Sequence, residues 1–106
     1  MIWLRRIGIA LGALILLAAA FVGFCALSCW SDMRIDTARG INESGYVKIG
    51  GIDQWVQIRG RDRNNPVLLY LNGGPGFSTI DGTYFYREWE KRYTLVMWDQ
   101  RGEGKS

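Results

Sequence analysis

Two glycine-rich stretches decide the fold of this chain, Asn72-Gly73-Gly74-Pro75-Gly76 and Asp99-Gln100-Arg101-Gly102-Glu103-Gly104-Lys105-Ser106. Each directly follows a short and almost wholly apolar run, Val67–Leu71 before the first and Thr94–Trp98 before the second. Continuous apolar runs of this length are typical of strands buried on both faces of a parallel sheet. Where such a strand ends in a glycine-rich loop, α/β proteins place backbone N–H groups that bind an anion or an oxyanion. The pattern therefore predicts an α/β fold with a binding site at the ends of these two strands.

The segment between the two strands is predicted to be a helix over residues 82–92, with Asp81 as its N-cap. Phe85 and Trp89 are four residues apart, so they share one face of that helix, and we expect this face to pack into the core. Strand, helix and strand together make one βαβ unit.

The residues before the first of these strands have the pattern of a β-hairpin. Tyr46–Ile49 and Gln54–Arg59 alternate between apolar and polar side chains, and Gly50-Gly51 joins the two runs. Both glycines can adopt the positive φ that a tight hairpin turn requires. Residues 31–44 mix charged residues with few apolar ones and are predicted to be a linker, so the domain is expected to occupy residues 45–106.

From about Gly45 to Ser106 the chain resembles the α/β-hydrolases, and within them the proline iminopeptidase group of serine peptidases. That group carries His-Gly-Gly-Pro-Gly after one strand and Asp-Gln-Arg-Gly-x-Gly-x-Ser after the next. The resemblance implies that residues 45–106 are the N-terminal portion of an α/β-hydrolase sheet. It also implies that the complete enzyme releases an N-terminal residue, often proline, from peptides and needs no cofactor.

The resemblance further implies that the backbone N–H of Gly74 is one donor of the oxyanion hole. Acyl transfer builds negative charge on the carbonyl oxygen of the substrate, and preorganised N–H groups stabilise that charge. Asn72, Gly73, Pro75 and Gly76 would support this donor, since glycines let the backbone approach closely and proline stiffens the loop. Asn72 stands where the family has a histidine that braces the loop, and its amide can replace part of that hydrogen bonding.

In the second loop the resemblance implies structural roles. Asp99 and Arg101 are expected to hold the loop by charge-assisted hydrogen bonds, together with Gly102 and Gly104. A rival interpretation is a phosphate-binding P-loop, because Gly104-Lys105-Ser106 matches the end of the motif Gly-x-x-x-x-Gly-Lys-Ser. The leading glycine of that motif would have to be residue 99, where the carboxylate of Asp99 repels a phosphate.

A complete catalytic site is not encoded in these 106 residues. The family needs a serine on a Gly-x-Ser-x-Gly elbow, then an aspartate and a histidine, and the sequence has neither such an elbow nor any histidine. We therefore expect no catalytic residue, no metal site and no cofactor here, and we interpret the chain as the N-terminal fragment of a hydrolase. The alternatives are a small membrane-tethered protein without catalytic activity, a truncated gene product, and an esterase on the same fold.

An uncharged run of 21 residues, Ile7–Leu27, precedes the predicted domain. Roughly 20 apolar residues in a helix cross the hydrocarbon core of a bilayer, so residues 1–30 are predicted to be a signal anchor or a signal peptide. Arg5 and Arg6 precede the run, which predicts a single pass with a cytoplasmic N-terminus and a periplasmic or extracellular remainder. The alternative is a secreted protein that is cleaved near Ser28.

The formal net charge of +3 does not indicate a nucleic-acid-binding protein. Two of the 13 basic residues, Arg5 and Arg6, belong to the flank of the apolar run. No cysteine follows residue 30, so the predicted domain has no disulfide framework. The expected partners are the lipid bilayer and, for a complete domain, a peptide or a small ester or amide substrate.

Overall fold

A computed structural model describes residues 1–73 and 76–106 of the chain. It divides the chain into two compact units, Met1–Arg34 and Ile35–Ser106. The first unit is a helix, and the second unit contains the sheet and both glycine-rich loops.

The first unit consists of one α-helix, α1, over Ile2–Met33, and none of its residues is buried. The helix is longer than the predicted span and continues through Ser28 into the stretch predicted as linker. At about 1.5 Å per residue its 32 residues extend about 48 Å. It is long and apolar enough to cross a membrane, and a helix of this kind near the N-terminus is typical of both a membrane span and a signal sequence.

The second unit is built on a mixed sheet of four strands. The strands are β1 (Ile41–Ile49), β2 (Ile52–Gly60), β3 (Val67–Leu71) and β4 (Thr94–Trp98), in the spatial order β1-β2-β4-β3. β1 pairs antiparallel with β2, β2 pairs antiparallel with β4, and β3 pairs parallel with β4. The predicted hairpin and the predicted parallel strand pair are therefore both present.

The hairpin turn has the geometry that its two glycines predict. Gly50 and Gly51 have φ values of 62° and 86°, and Ile49 lies opposite Ile52. β1 begins at Ile41, ahead of the expected domain start at residue 45, so the end of the predicted linker is a strand. Polar side chains on this exposed edge strand obscured the alternation on which the prediction relied.

The predicted α-helix over residues 82–92 is wrong. Two short 3₁₀ helices, Ile80–Tyr86 and Trp89–Lys91, occupy this segment. Gly82 lies outside the helical region with φ −92° and ψ 16°, and the N-cap position belongs to Thr79 and not to Asp81. A glycine inside a helix is destabilising because it loses more backbone freedom than other residues.

Side chains of the 3₁₀ segment also pack differently from the prediction. The side chain of Phe85 is 80% exposed and that of Trp89 is 43% exposed, so the pair does not form a core face. Tyr86 and Trp89 instead contact Tyr70 of β3, with ring centroids 5.0 and 6.2 Å away. These tilted aromatic contacts cover one face of β3.

The core lies on β4, between its two neighbouring strands. Leu95 and Met97 are each 1% exposed. β3 lies at the edge of the sheet, where Val67, Leu69 and Leu71 remain exposed. Burial on both faces, as the apolar run predicted, is therefore not found for β3.

A buried ion pair joins β2 to the second 3₁₀ helix. The Arg59 Nε donates to the Glu90 carboxylate at 2.6 Å, and the two side chains are 8% and 0% exposed. The same guanidinium donates to the Asn42 Oδ1 of β1 at 3.0 Å. Charged groups this deeply buried require such partners, because an unpaired charge in the interior is costly.

Candidate functional site

The two glycine-rich loops begin side by side, at the carboxyl ends of β3 and β4. β3 and β4 are parallel neighbours with Leu71 opposite Trp98, so the residues that follow each strand leave the sheet at the same end. In α/β sheets this carboxyl end of parallel strands is where ligands bind. Gly74 and Pro75 lie outside the described residues, so the role of the Gly74 N–H as oxyanion donor stays a prediction.

Asn72 connects the two loops. Its Nδ2 donates to the backbone oxygen of Trp98 at 3.1 Å and to the Glu103 carboxylate at 3.0 Å. Its Oδ1 accepts a hydrogen bond from the Thr79 hydroxyl. Both hydrogens of the side-chain amide are thus used inside the protein, which makes Asn72 a bracing residue for the loops and leaves its side chain no hydrogen to donate to a ligand.

Glu103 belongs to the hydrogen-bond network between the two loops, which the sequence did not predict. It occupies a variable position of the loop motif, yet it is only 8% exposed. Besides the Asn72 amide, its carboxylate accepts the backbone N–H of Gln100 at 3.4 Å. The available signal was its charge, since a carboxylate inside a glycine-rich loop after a buried strand needs donors nearby.

Asp99 is the most deeply buried residue of the second loop, at 1% exposed. Its carboxylate accepts hydrogen bonds from the Ser78 hydroxyl at 2.5 Å and from the Lys105 backbone N–H at 3.0 Å. Its own N–H donates to the backbone oxygen of Trp55 in β2 at 2.9 Å. Asp99 therefore ties the second loop to itself, to the hairpin and to the segment that follows the first loop.

Two glycines give the second loop its shape. Gly102 and Gly104 have φ values of 82° and 45°, which L-amino acids with a side chain rarely adopt. A Cβ at Gly104 would also overlap the Asp99 carboxylate. Arg101 is exposed and has no hydrogen bond within the described part of the chain, so the structure does not bring it into this network.

The last residues of the loop fold back onto the hairpin. The Lys105 ammonium lies 4.3 Å from the ring centroid of Trp55, and the Tyr46 hydroxyl donates to the Lys105 backbone oxygen at 3.2 Å. The Ser106 hydroxyl accepts a hydrogen bond from the backbone N–H of Trp55 at 2.7 Å and donates to the backbone oxygen of Asp99. A phosphate cradle would need the Lys105 N–H and ammonium free, so this arrangement argues against the P-loop interpretation.

A pair of tyrosines joins the first 3₁₀ helix to β3. The Tyr86 hydroxyl donates to the Tyr70 hydroxyl of β3 at 3.1 Å. This hydrogen bond, with partial desolvation, raises the pKa of Tyr86, because donating favours the protonated phenol.

Among the described residues, no group of three His, Cys, Asp or Glu side chains could hold a metal ion.

Peptidases resemble this chain over part of its length. A 61-residue stretch is 46% identical to Probable aminopeptidase YbaC of Bacillus subtilis (strain 168) and covers 57% of this chain and 19% of that protein. A 69-residue stretch is 39% identical to the protein named "Putative proline iminopeptidase" of Mycoplasma genitalium, and it covers 62% of this chain and 21% of that protein. Carboxypeptidase Y of Candida albicans is 37% identical over 59 residues, which cover 51% of this chain and 10% of the carboxypeptidase.

These relatives are peptidases of the α/β-hydrolase type, and they support a relationship of this chain to hydrolase peptidases. The chain spans about a fifth of the length of the two aminopeptidase relatives. No family model matches the chain. No solved structure matches it.

Proposed function

We propose that this chain supplies the amino-terminal part of an α/β-hydrolase-type serine peptidase, most like a proline iminopeptidase. The observation that carries the proposal is the parallel pair β3–β4, whose two glycine-rich loops leave the same edge of the sheet and are joined through Asn72. The partial similarity to aminopeptidases supports the same reaction class. The substrate would be a peptide or a small amide or ester with a free N-terminal residue.

The role of these residues in the reaction is electrostatic. In the proposed site the backbone N–H of Gly74 donates to the oxyanion that forms when the substrate carbonyl becomes tetrahedral. Asn72 and Asp99 hold the two loops before substrate arrives, so no reorganisation is needed as charge develops. The nucleophilic serine, the aspartate, the histidine and the second donor belong to sequence beyond these 106 residues. The 106-residue chain by itself is therefore expected to hydrolyse neither prolyl amides nor simple esters.

We propose that α1 anchors this peptidase in a membrane, with the N-terminus in the cytoplasm. The continuous apolar helix and the preceding Arg5 and Arg6 support this orientation. Carbonate extraction and protease access on sealed vesicles test it. Retention in the membrane at full mass is expected, whereas a soluble product that lacks about 28 residues would establish cleavage after Ser28 instead.

The test of the peptidase begins with the coding sequence that continues past Ser106. We expect an in-frame Gly-x-Ser-x-Gly elbow with a later aspartate and histidine, and we expect the complete product to release proline from a prolyl amide. A stop codon with no such sequence in any frame would refute the proposal.

Two variants of the complete product test whether the backbone N–H of Gly74 acts as the oxyanion donor. Gly74→Pro removes the N–H, whereas Gly74→Ala retains it. We expect the kcat of the proline variant to be about 10²–10³-fold lower than that of the alanine variant, because loss of one oxyanion donor has an effect of this size. Equal kcat values for the two variants would show that Gly74 is not a donor.

A further inference from the structure

A cleft of about 390 Å³ lies beside the first glycine-rich loop, and the proposed oxyanion role makes no use of it. One wall is residues 77–79, which follow the loop directly, and the other wall is the first 3₁₀ helix. Phe77, Asp81, Phe85 and Tyr86 all line the space between them.

Hydrogen bonds fix both walls relative to the two loops. On the first wall, Ser78 donates to the Asp99 carboxylate and Thr79 donates to Asn72. On the second wall, Tyr86 donates to Tyr70 of β3. The cleft is thus part of the same frame that holds the candidate oxyanion loop, so a group bound in it would lie next to that loop.

The chemistry of the cleft favours a cation with an apolar stem. Phe77 and Phe85 are 75% and 80% exposed and both line this cleft, so its two walls offer apolar surface to the side chain of a bound group. Asp81 is exposed too, and within the described residues its carboxylate has neither a hydrogen bond nor an ion pair. A carboxylate beside aromatic rings attracts an ammonium group through both its charge and the negative ring faces.

We propose that this cleft binds the N-terminal residue of a peptide, with its ammonium group on Asp81 and its side chain against Phe77 and Phe85. An ammonium group on an apolar stem also occurs in a lysine side chain. The assignment to the N-terminal residue rests on the proposed peptidase function, since the cleft adjoins the loop at which the carbonyl of that residue would react. The site would require a free amino group, and it would select aminoacyl substrates over N-blocked ones.

The test uses the full 106-residue chain in detergent micelles and measures binding by NMR titration. The probes are leucine amide, N-acetyl-leucine amide and Nα-acetyl-lysine amide, at concentrations up to the tens of millimolar. We expect leucine amide to shift the backbone signals of Asp81, Gly82 and Phe85, and both acetylated probes to leave them in place. Asp81→Asn should weaken the binding of leucine amide at least fivefold. Asp53→Asn, which removes an exposed carboxylate from the hairpin, is the matched control and should bind as the parent chain does.

Each other outcome overturns the proposal. Equal shifts with N-acetyl-leucine amide would show that the ammonium group is not recognised, and stronger binding of the lysine probe would assign the cleft to a side chain. Absence of shifts, or an equal loss of binding in Asp53→Asn, would exclude the site. The experiment measures binding and not turnover. The cleft can therefore fail to bind leucine amide while the complete product is an active peptidase, and it can bind leucine amide even if that product is inactive.

Discussion

The two strands that carry the candidate site, β3 and β4, differ in how completely the surrounding residues cover them. The second loop and β4 are enclosed, with Asp99, Leu95 and Met97 each 1% exposed. β3 has Val67 and Leu69 more than half exposed, and its outer edge has no partner strand among the described residues. β4 is therefore stabilised by contacts within this chain, whereas the outer side of β3 presents apolar surface and an unpaired strand edge of the kind that other segments cover in larger sheets.

The largest expected effect concerns the buried ion pair that joins β2 to the segment before β4. Glu90→Ala leaves the Arg59 charge buried with one partner fewer, and we expect the free energy of unfolding to fall by about 3–5 kcal/mol. Urea denaturation of the full chain in micelles, followed by tryptophan fluorescence, measures it. The control is Glu88→Ala, which removes an exposed ion pair with Lys91 and should leave the unfolding midpoint unchanged. Equal midpoints for the two variants would mean that the buried pair adds no stability.

The next effect compares the two strands directly. Leu95→Ala should lower the free energy of unfolding by about 2–5 kcal/mol, because it creates a cavity in the core of β4. Leu69→Ala on the exposed side of β3 should change it by less than about 1 kcal/mol, since little apolar area is removed from water at that position. The same urea experiment measures both variants. A loss at Leu69 as large as that at Leu95 would show that β3 is covered in solution, for example by a second copy of the chain.

A smaller effect tests how tightly the second loop is closed. Gly104→Ala places a Cβ against the Asp99 carboxylate at a positive φ, and we expect it to cost about 1–3 kcal/mol. It should also shift the NMR signal of the Lys105 backbone N–H, which donates to that carboxylate. Gly45→Ala is the control, because a Cβ on this glycine of β1 meets open space. An unchanged Lys105 signal in Gly104→Ala would contradict the described contact.

The smallest effect is the pH dependence of the tyrosine pair on the covered face of β3. The folded-state pKa of Tyr86 is raised, so its contribution to stability is complete below the unfolded pKa of about 10 and is lost as the pH rises through the folded value. We expect the urea midpoint to fall less steeply with alkaline pH in Tyr86→Phe than in the parent chain. A slope in Tyr86→Phe equal to that of the parent chain would show that the tyrosine pair does not contribute.

Local patterns were sufficient to predict that the four strands and the hairpin turn exist, although not where β1 begins. The hairpin depended on Gly50-Gly51, whose lack of side chains permits two successive positive φ values. The apolar runs predicted β3 and β4, and the glycine-rich stretches after them predicted where two loops would meet. These features are encoded by neighbouring residues, so no knowledge of distant contacts was needed.

The segment between β3 and β4 shows where the local pattern was insufficient. The spacing of Phe85 and Trp89 is helical, yet Thr83 donates to the Gln57 side chain of β2 at 2.8 Å and holds the chain in a 3₁₀ path. A contact between residues 26 positions apart overrides weak helix propensity. Because the segment follows this path, Phe85 is left exposed in the cleft that we propose as a binding site.

The sequence alone determined the order of the strands along the chain, the apolar character of α1 and the places in the chain where the two glycine-rich stretches follow a strand, because each depends on residue type and short-range spacing. The tertiary structure decided which side chains brace those loops. Asn72 and Glu103 are 31 positions apart and meet only because β3 and β4 are parallel neighbours. Arg59 and Glu90 are likewise 31 positions apart, and only the folded sheet removes both charges from water and makes their pairing necessary.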